Sequence, residues 1–142
     1  MAEKNYHELI KDRIYSGGAD DVQNVLKNEN VDVAFDLRAE APKEKYYDNR
    51  VHSPIVENAD NQEESIQKSI EHIVHAYNEG KKVYFHCQGG SNRTGTVAIG
   101  TLLAIGEAKT LEEAEQKAKN ARPKINVKPE MKEALRKIYP NS

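Results

Sequence analysis

One cysteine, no tryptophan and only two phenylalanines stand among the 142 residues. A lone cysteine excludes an intrachain disulfide framework, the usual support of a small secreted fold. No apolar run approaches the roughly 20 residues of a membrane-spanning helix. The opening residues Met1-Ala2-Glu3-Lys4-Asn5-Tyr6-His7 lack the hydrophobic centre of a secretory signal. Neither sign of charge dominates: 21 Lys and Arg face 23 Asp and Glu, for a formal net charge of -2. That balance carries no footprint of a nucleic-acid binder and no basic stripe for an anionic membrane, so neither is expected as a partner. The chain reads as one domain over residues 1–142, large enough to bury a core, with the cytoplasm as its default location.

What is present is an alternation of strand and helix signals without internal repeats or low-complexity linkers. Arg13-Ile14-Tyr15-Ser16 reads as a first strand closed by Gly17-Gly18, and Asp20 as the cap of a helix with Val22, Val25 and Leu26 on its apolar face. Val31 to Leu37 is β-rich and fits a central strand. Residues 38–49 are polar and loop-like, and Val51 to Ile55 reads as a further strand with Pro54 towards its end. Asp60 and Glu63 form a capping pattern ahead of a helix whose face is Ile66, Ile70, Ile73, Val74 and Tyr77, ended by Gly80. Lys82 to Phe85 reads as a short buried strand, and a mostly apolar helix runs roughly from Thr94 to Ile105. Thr110 and Glu113 open a helix to about Lys119. Pro129 begins the last one, with Met131, Ala134, Leu135 and Ile138 at core spacing. The pattern predicts an α/β fold, a central and mostly parallel sheet flanked by helices.

The cysteine sits in His86-Cys87-Gln88-Gly89-Gly90-Ser91-Asn92-Arg93-Thr94-Gly95, between the Lys82–Phe85 strand and the following helix. A strand, a glycine-containing loop and a helix N-terminus make an anion cradle, because successive backbone N–H groups turn inward and the macrodipole favours negative charge. Positive partial charge there stabilises a thiolate at Cys87. Arg93 adds a planar fork matched to two oxygens of one phosphate. An open α/β sheet binds ligands at the carboxyl ends of its strands, which is where this loop falls.

The pattern His-Cys-x-x-Gly-x-x-Arg-(Ser/Thr)-Gly resembles the signature loop of the cysteine-dependent protein tyrosine phosphatases, most closely the compact, bacterial-type dual-specificity branch. The resemblance implies the phosphatase-like fold and a mechanism needing no metal or other cofactor. It implies that Cys87 attacks phosphorus and forms a phosphocysteine, while Arg93 and the amides of Gln88, Gly89, Gly90, Ser91, Asn92 and Arg93 hold the equatorial oxygens. It further implies that Thr94 donates its hydroxyl to the sulfur and that His86 stabilises the loop rather than acting as a base. Gly89, Gly90 and Gly95 permit tight turns and close backbone approach.

Relatives carry a general acid in a Pro-hydrophobic-x-Asp segment upstream of the cysteine. Here that stretch is Pro54-Ile55-Val56-Glu57-Asn58-Ala59-Asp60, which offers Glu57 in the expected place and Asp60, also a helix cap, as the other candidate. Near the C-terminus, Arg122-Pro123-Lys124-Ile125-Asn126-Val127-Lys128-Pro129-Glu130-Met131 resembles a family segment ending in a water-orienting glutamine, a place held here by Met131. Asp36, Arg38 and Glu40 resemble a recurring stretch after a central strand and read as structural, with Arg38 reaching the pocket as the alternative. Lys43, Lys45, Tyr46 and Tyr47 sit on a loop that reads as a solvated surface loop, with a substrate-selecting border of the pocket as the alternative. His72 and His75 have the spacing to share a metal, but a solvated or packing role is the stronger reading.

The expected partners are a phosphorylated protein or a small phosphomonoester, with phosphate, sulfate or vanadate able to occupy the loop. A shallow pocket on a minimal chain suits phosphotyrosine together with phosphoserine or phosphothreonine. The loop has no lysine, which disfavours highly phosphorylated inositol lipids. Two other readings stand beside the hydrolase: a module that binds phosphopeptide without turnover, and a sulfurtransferase using Cys87. The exposed chemistry of a readily ionised thiol also makes Cys87 a target of peroxide, with no second cysteine to resolve it.

Overall fold

A computed structural model describes residues 6–39, 50–55 and 62–140. Its centre is a five-stranded sheet built from β1 (Tyr6–Ile10), β2 (Ile14–Gly17), β3 (Val33–Arg38), β4 (Arg50–Ile55) and β5 (Val83–His86), in the order β1-β2-β5-β3-β4. β2, β5, β3 and β4 run parallel, and β1 pairs antiparallel with β2 at one edge. Five helices accompany it: α1 (Val22–Glu29), α2 (Gln62–Asn78), α3 (Asn92–Ala104), α4 (Leu111–Ala121) and α5 (Pro129–Ile138). The expected α/β layering is what the described residues form.

Alternation along each strand divides the core. Ile14, Phe35, Leu37, Val83 and Phe85 face the larger cluster with Ile66, Ile70 and Ile73 of α2, Val97, Ile99 and Leu102 of α3, and Met131 and Leu135 of α5. Tyr15, Ala34 and Tyr84 point the other way, onto Val22 and Val25 of α1 and Tyr6 of β1. α3 is buried along most of its length, as its apolar composition predicts, and Gly100 lets α2 approach: a Cβ there would overlap Ile70 Cδ1. Gly80 (φ 85°) follows the end of α2, and Asn30 ends α1 in the left-handed region.

Three local expectations are revised. β1 is a strand that the sequence reading leaves unassigned. Asp20 does not cap a helix: it lies in a 3-10 turn over Ala19–Asp21, and α1 starts at Val22 without a side-chain cap bond. Arg38 is the last residue of β3 rather than loop. Residues 40–49, with Glu40, Lys43, Lys45, Tyr46 and Tyr47, lie outside the described residues, as does the proposed cap Asp60. No helix of the described residues is long and apolar enough to cross a membrane.

Candidate active site

β5 is the middle strand, and its carboxyl end delivers His86 and then Cys87 to a loop that enters α3 at Asn92. The carbonyls of this loop are accounted for one by one. Cys87 O lies 3.1 Å from His86 Nδ1, and Gln88 O accepts from the Ala19 N–H at 3.1 Å. Gly89 O and Gly90 O both accept from the Arg122 guanidinium, at 3.3 and 2.8 Å, and Ser91 O accepts from the Gly95 N–H at 3.0 Å. Each peptide unit is planar and trans, so its N–H opposes its C=O. Carbonyls drawn onto outside partners therefore aim the amides of Gln88, Gly89, Gly90, Ser91 and Asn92 away from those partners, as an anion nest requires.

Cys87 is buried, 4% exposed, and its sulfur is met by one designed-for neighbour in the next helix. The Thr94 hydroxyl lies 3.1 Å from Cys87 Sγ while accepting the Cys87 N–H at 3.0 Å. Because the oxygen accepts from the amide, its one proton goes outward to an acceptor, with Cys87 Sγ the nearer and the Gly17 carbonyl at 3.4 Å the other in reach. Arg93, six residues after Cys87, is half-buried in the first turn of α3. Asn92 Oδ1 accepts the Lys128 N–H at 2.9 Å, fastening the 122–128 segment to the start of α3. That segment also explains Gly95: a Cβ there would stand 2.6 and 2.8 Å from methyls of Ile125 and Val127. Gly90 has φ 75°, and a Cβ on it would overlap Arg122 and Gly17. Gly89 needs neither explanation, because the space around its Cβ position is open.

His86 is fully buried on β5, opposite Asp36 in the parallel register with β3, and its ring stacks on Tyr84 at 5.6 Å. Burial pushes its pKa down to about 4, against a smaller pull from Asp36, so the imidazole is neutral at neutral pH. A neutral ring donating Nδ1–H to Cys87 O matches the loop-stabilising role expected of it, and gives no base. Asp36, also fully buried, faces burial that opposes its charge. It is nonetheless held at a pKa of about 2 by hydrogen bonds from Arg38. Arg38 grips it with Nε and Nη2, both at 2.9 Å, and Arg50 Nη2 adds a contact at 3.0 Å. Arg38 then extends Nη1 to Gln88 Oε1 at 3.0 Å. The residue read as structural is thus also a direct contact of the loop.

The sequence reading missed Arg122, and it placed the Gly17-Gly18 turn without its contact with the cysteine loop. Arg122 appears there only as the start of a segment, because a buried arginine has no periodic signature. Glu57 and Asp60 lie outside the described residues. Met131 is 1% exposed in the core of α5. His72 and His75 take different partners: His72 Nδ1 lies 3.1 Å from Ser53 Oγ, and His75 pairs with Glu79 at 3.6 Å. No cluster of three or more His, Cys, Asp or Glu among the described residues has the arrangement to hold a metal ion.

The arrangement can hold a tetrahedral oxyanion against a sulfur nucleophile, and known proteins share the fold that carries it. Tk-PTP in its active form superposes with a TM-score of 0.78 at 22% identity, over 99% of this chain and 100% of that one. A mouse putative dual specificity phosphatase complexed with zinc tungstate gives 0.81 at 16%, over 96% and 87%. PTPMT1 in complex with PI(5)P gives 0.77 at 16%, over 96% of each chain. These likenesses establish the fold. No curated protein matches the sequence itself. The model of the dual specificity phosphatase catalytic domain matches residues 14–141, which takes in every strand of the parallel sheet, the signature loop and all five helices. The chain belongs to the dual specificity phosphatase catalytic-domain family, whose activity is cysteine-based phosphoester hydrolysis.

Proposed function

We propose that residues 1–142 form one cytoplasmic catalytic domain that hydrolyses phosphotyrosine, and phosphoserine or phosphothreonine, in proteins, without a metal. The observation that carries this reading is the pairing of outward-held loop carbonyls with a threonine hydroxyl on Cys87 Sγ. Cys87 attacks phosphorus in line and breaks the ester bond, giving a phosphocysteine. Arg93 and the amides of residues 88–93 take the three equatorial oxygens, and phosphate, sulfate or vanadate competes for the same place. Glu57, or Asp60, gives its proton to the leaving oxygen and then takes one from the attacking water. The sulfur leaves as thiolate with the Thr94 O–H directed at it. Arg93 and the amides supply the positive field that a metal would otherwise bring. PTPMT1 has been captured with PI(5)P; the lysine-free stretch Gln88 to Asn92 suits a substrate with one phosphomonoester better than a highly phosphorylated inositol lipid.

A module that binds phosphopeptide and does not turn it over is the second reading, favoured by the burial of Met131 where relatives orient water. Metal-free hydrolysis of p-nitrophenyl phosphate from about pH 4.5 to 8 separates the two. Turnover by wild type that Cys87→Ser abolishes supports the hydrolase. Of Glu57→Gln and Asp60→Asn, the one that loses the basic limb of the profile marks the acid. Wild type that binds vanadate yet releases no product supports the module. Matched phosphopeptides then decide between residue types, and hydrolysis of one type alone would contradict the dual specificity.

A further inference from the structure

Arg122 is fully buried just beyond the C-terminal end of α4, and its fork reaches across two elements. Nε and Nη2 hold Gly90 O and Gly89 O, while Nη1 lies 3.0 Å from Nδ1 of His7 on the edge strand β1. A guanidinium can only donate, so His7 Nδ1 is the acceptor and the imidazole carries its proton on Nε2. His7 lies opposite Ser16, next to Gly17, whose backbone is in contact range of Gly90. The antiparallel edge strand and the loop of the central strand thus share one guanidinium.

We infer that His7 and Arg122 form a brace that positions the phosphate-binding loop, His7 acting only through Arg122 and only while its Nδ1 is unprotonated. The inference rests on the phosphatase reading for the role of the loop. Neither residue touches substrate, and both are positioning residues. Two of the carbonyls that must turn outward do so onto Arg122. A guanidinium that loses the His7 acceptor holds those two carbonyls less firmly. A proton on Nδ1 would replace an acceptor with a donor and set two cations face to face. The surroundings resist that proton. Burial, then Arg122, then Lys124 lower the pKa of His7, while Asp21 at the start of α1 favours the charged form. Glu8 follows on the same strand, and a cavity of about 200 Å³ beside His7 is lined by Tyr6, Glu8, Tyr15 and Glu29.

Vanadate affinity, the kcat against KM split and melting temperature, measured together on four proteins, test the brace. His7→Phe keeps a planar ring and removes the acceptor, and His7→Asn places an amide oxygen where Nδ1 stood without being able to titrate. Arg122→Met removes the fork. His7→Phe is expected to weaken vanadate binding about three- to tenfold, the range of one lost hydrogen bond, and His7→Asn to recover most of that loss. Arg122→Met is expected to cost about a hundredfold in kcat/KM through misplacement of the loop. As pH falls below the ordinary imidazole value of 6.5, the affinity ratio of His7→Asn to wild type should rise, since only wild type can protonate at this position, and later than for a free imidazole. Equal affinities for Phe and Asn at position 7 with a flat ratio would overturn the inference, even if Arg122→Met does not fold. So would Arg122→Met that melts earlier yet binds vanadate normally. Wild type that binds vanadate but hydrolyses no aryl phosphate defeats the phosphatase reading instead, and the vanadate comparison still decides the brace. Wild type that binds no vanadate defeats both.

Discussion

Gly90 shows how much of the site depends on a single missing Cβ. Its φ of 75° is a conformation that costs an L side chain about 1–2 kcal/mol. The added atom would also stand 2.7 Å from the Gly17 carbonyl carbon and oxygen, a backbone that cannot rotate aside, and overlap Arg122. Gly90→Ala must therefore move the loop or the β2 turn. It is expected to reduce kcat/KM and vanadate affinity by about a hundredfold, the scale of a 1 Å misplacement, while the protein still folds. Near-normal vanadate binding would show that the loop does not need this conformation. The glycine was legible in the sequence as part of a local pattern, as were Cys87, Arg93 and Thr94, all within ten residues. What makes it indispensable was not. Arg122 lies 32 residues from Gly90, and His7 a further 115 from Arg122, a separation at which only the fold creates neighbours.

At the scale of elements, helices were legible wherever periodicity and caps agreed. α4 opens as Thr110 and Glu113 predict: Thr110 Oγ1 accepts the Glu113 N–H at 3.1 Å. The returning bond goes one residue earlier than a capping box has it, from the Lys109 N–H to Glu113 Oε1 at 2.8 Å. Thr110→Ala removes one of these bonds on the surface and should lower stability by about 1 kcal/mol, with Thr110→Ser close to wild type. Urea denaturation reads this as a shifted midpoint at unchanged slope. An unshifted midpoint for Ala would mean that water satisfies the Glu113 amide equally well. Strands were harder. β1 is short, polar and on an edge, with Glu8 and His7 among its five residues, so alternation alone could not separate it from loop. Its existence depends on β2 offering a paired edge. The 3-10 turn at Asp20 is likewise set by tertiary contact: the Ala19 N–H is committed to Gln88 O, which fixes where α1 can begin.

For the molecule as a whole, the parallel register that sets Asp36 opposite His86 concentrates the acid sensitivity of the fold behind its catalytic loop. Native His86 has a pKa of about 4 against an ordinary 6.5, lowered by burial. Between those values the unfolded chain binds a proton at His86 that the native protein excludes, so stability falls as pH drops from about 6.5 towards 4. At about 1.4 kcal/mol per tenfold change in proton affinity, the full loss is about 3 kcal/mol, a large share of a small domain's stability. Asp36 takes over below that window. Its native pKa of about 2 lies beneath the ordinary 3.8, so the stability it gives is complete above 3.8 and is lost as pH falls towards 2. The two losses follow one another in the same direction, so stability is expected to fall continuously from about pH 6.5 towards 2. Chemical denaturation at half-unit steps from about pH 7 to 3.5 measures the slope directly. His86→Asn, which cannot take a proton, should be less stable at pH 7 yet flatter between about pH 6.5 and 4.5. A wild-type curve with no slope in that range would mean that His86 is charged or exposed in the native protein, and with it the tether on the Cys87 carbonyl would lose its basis.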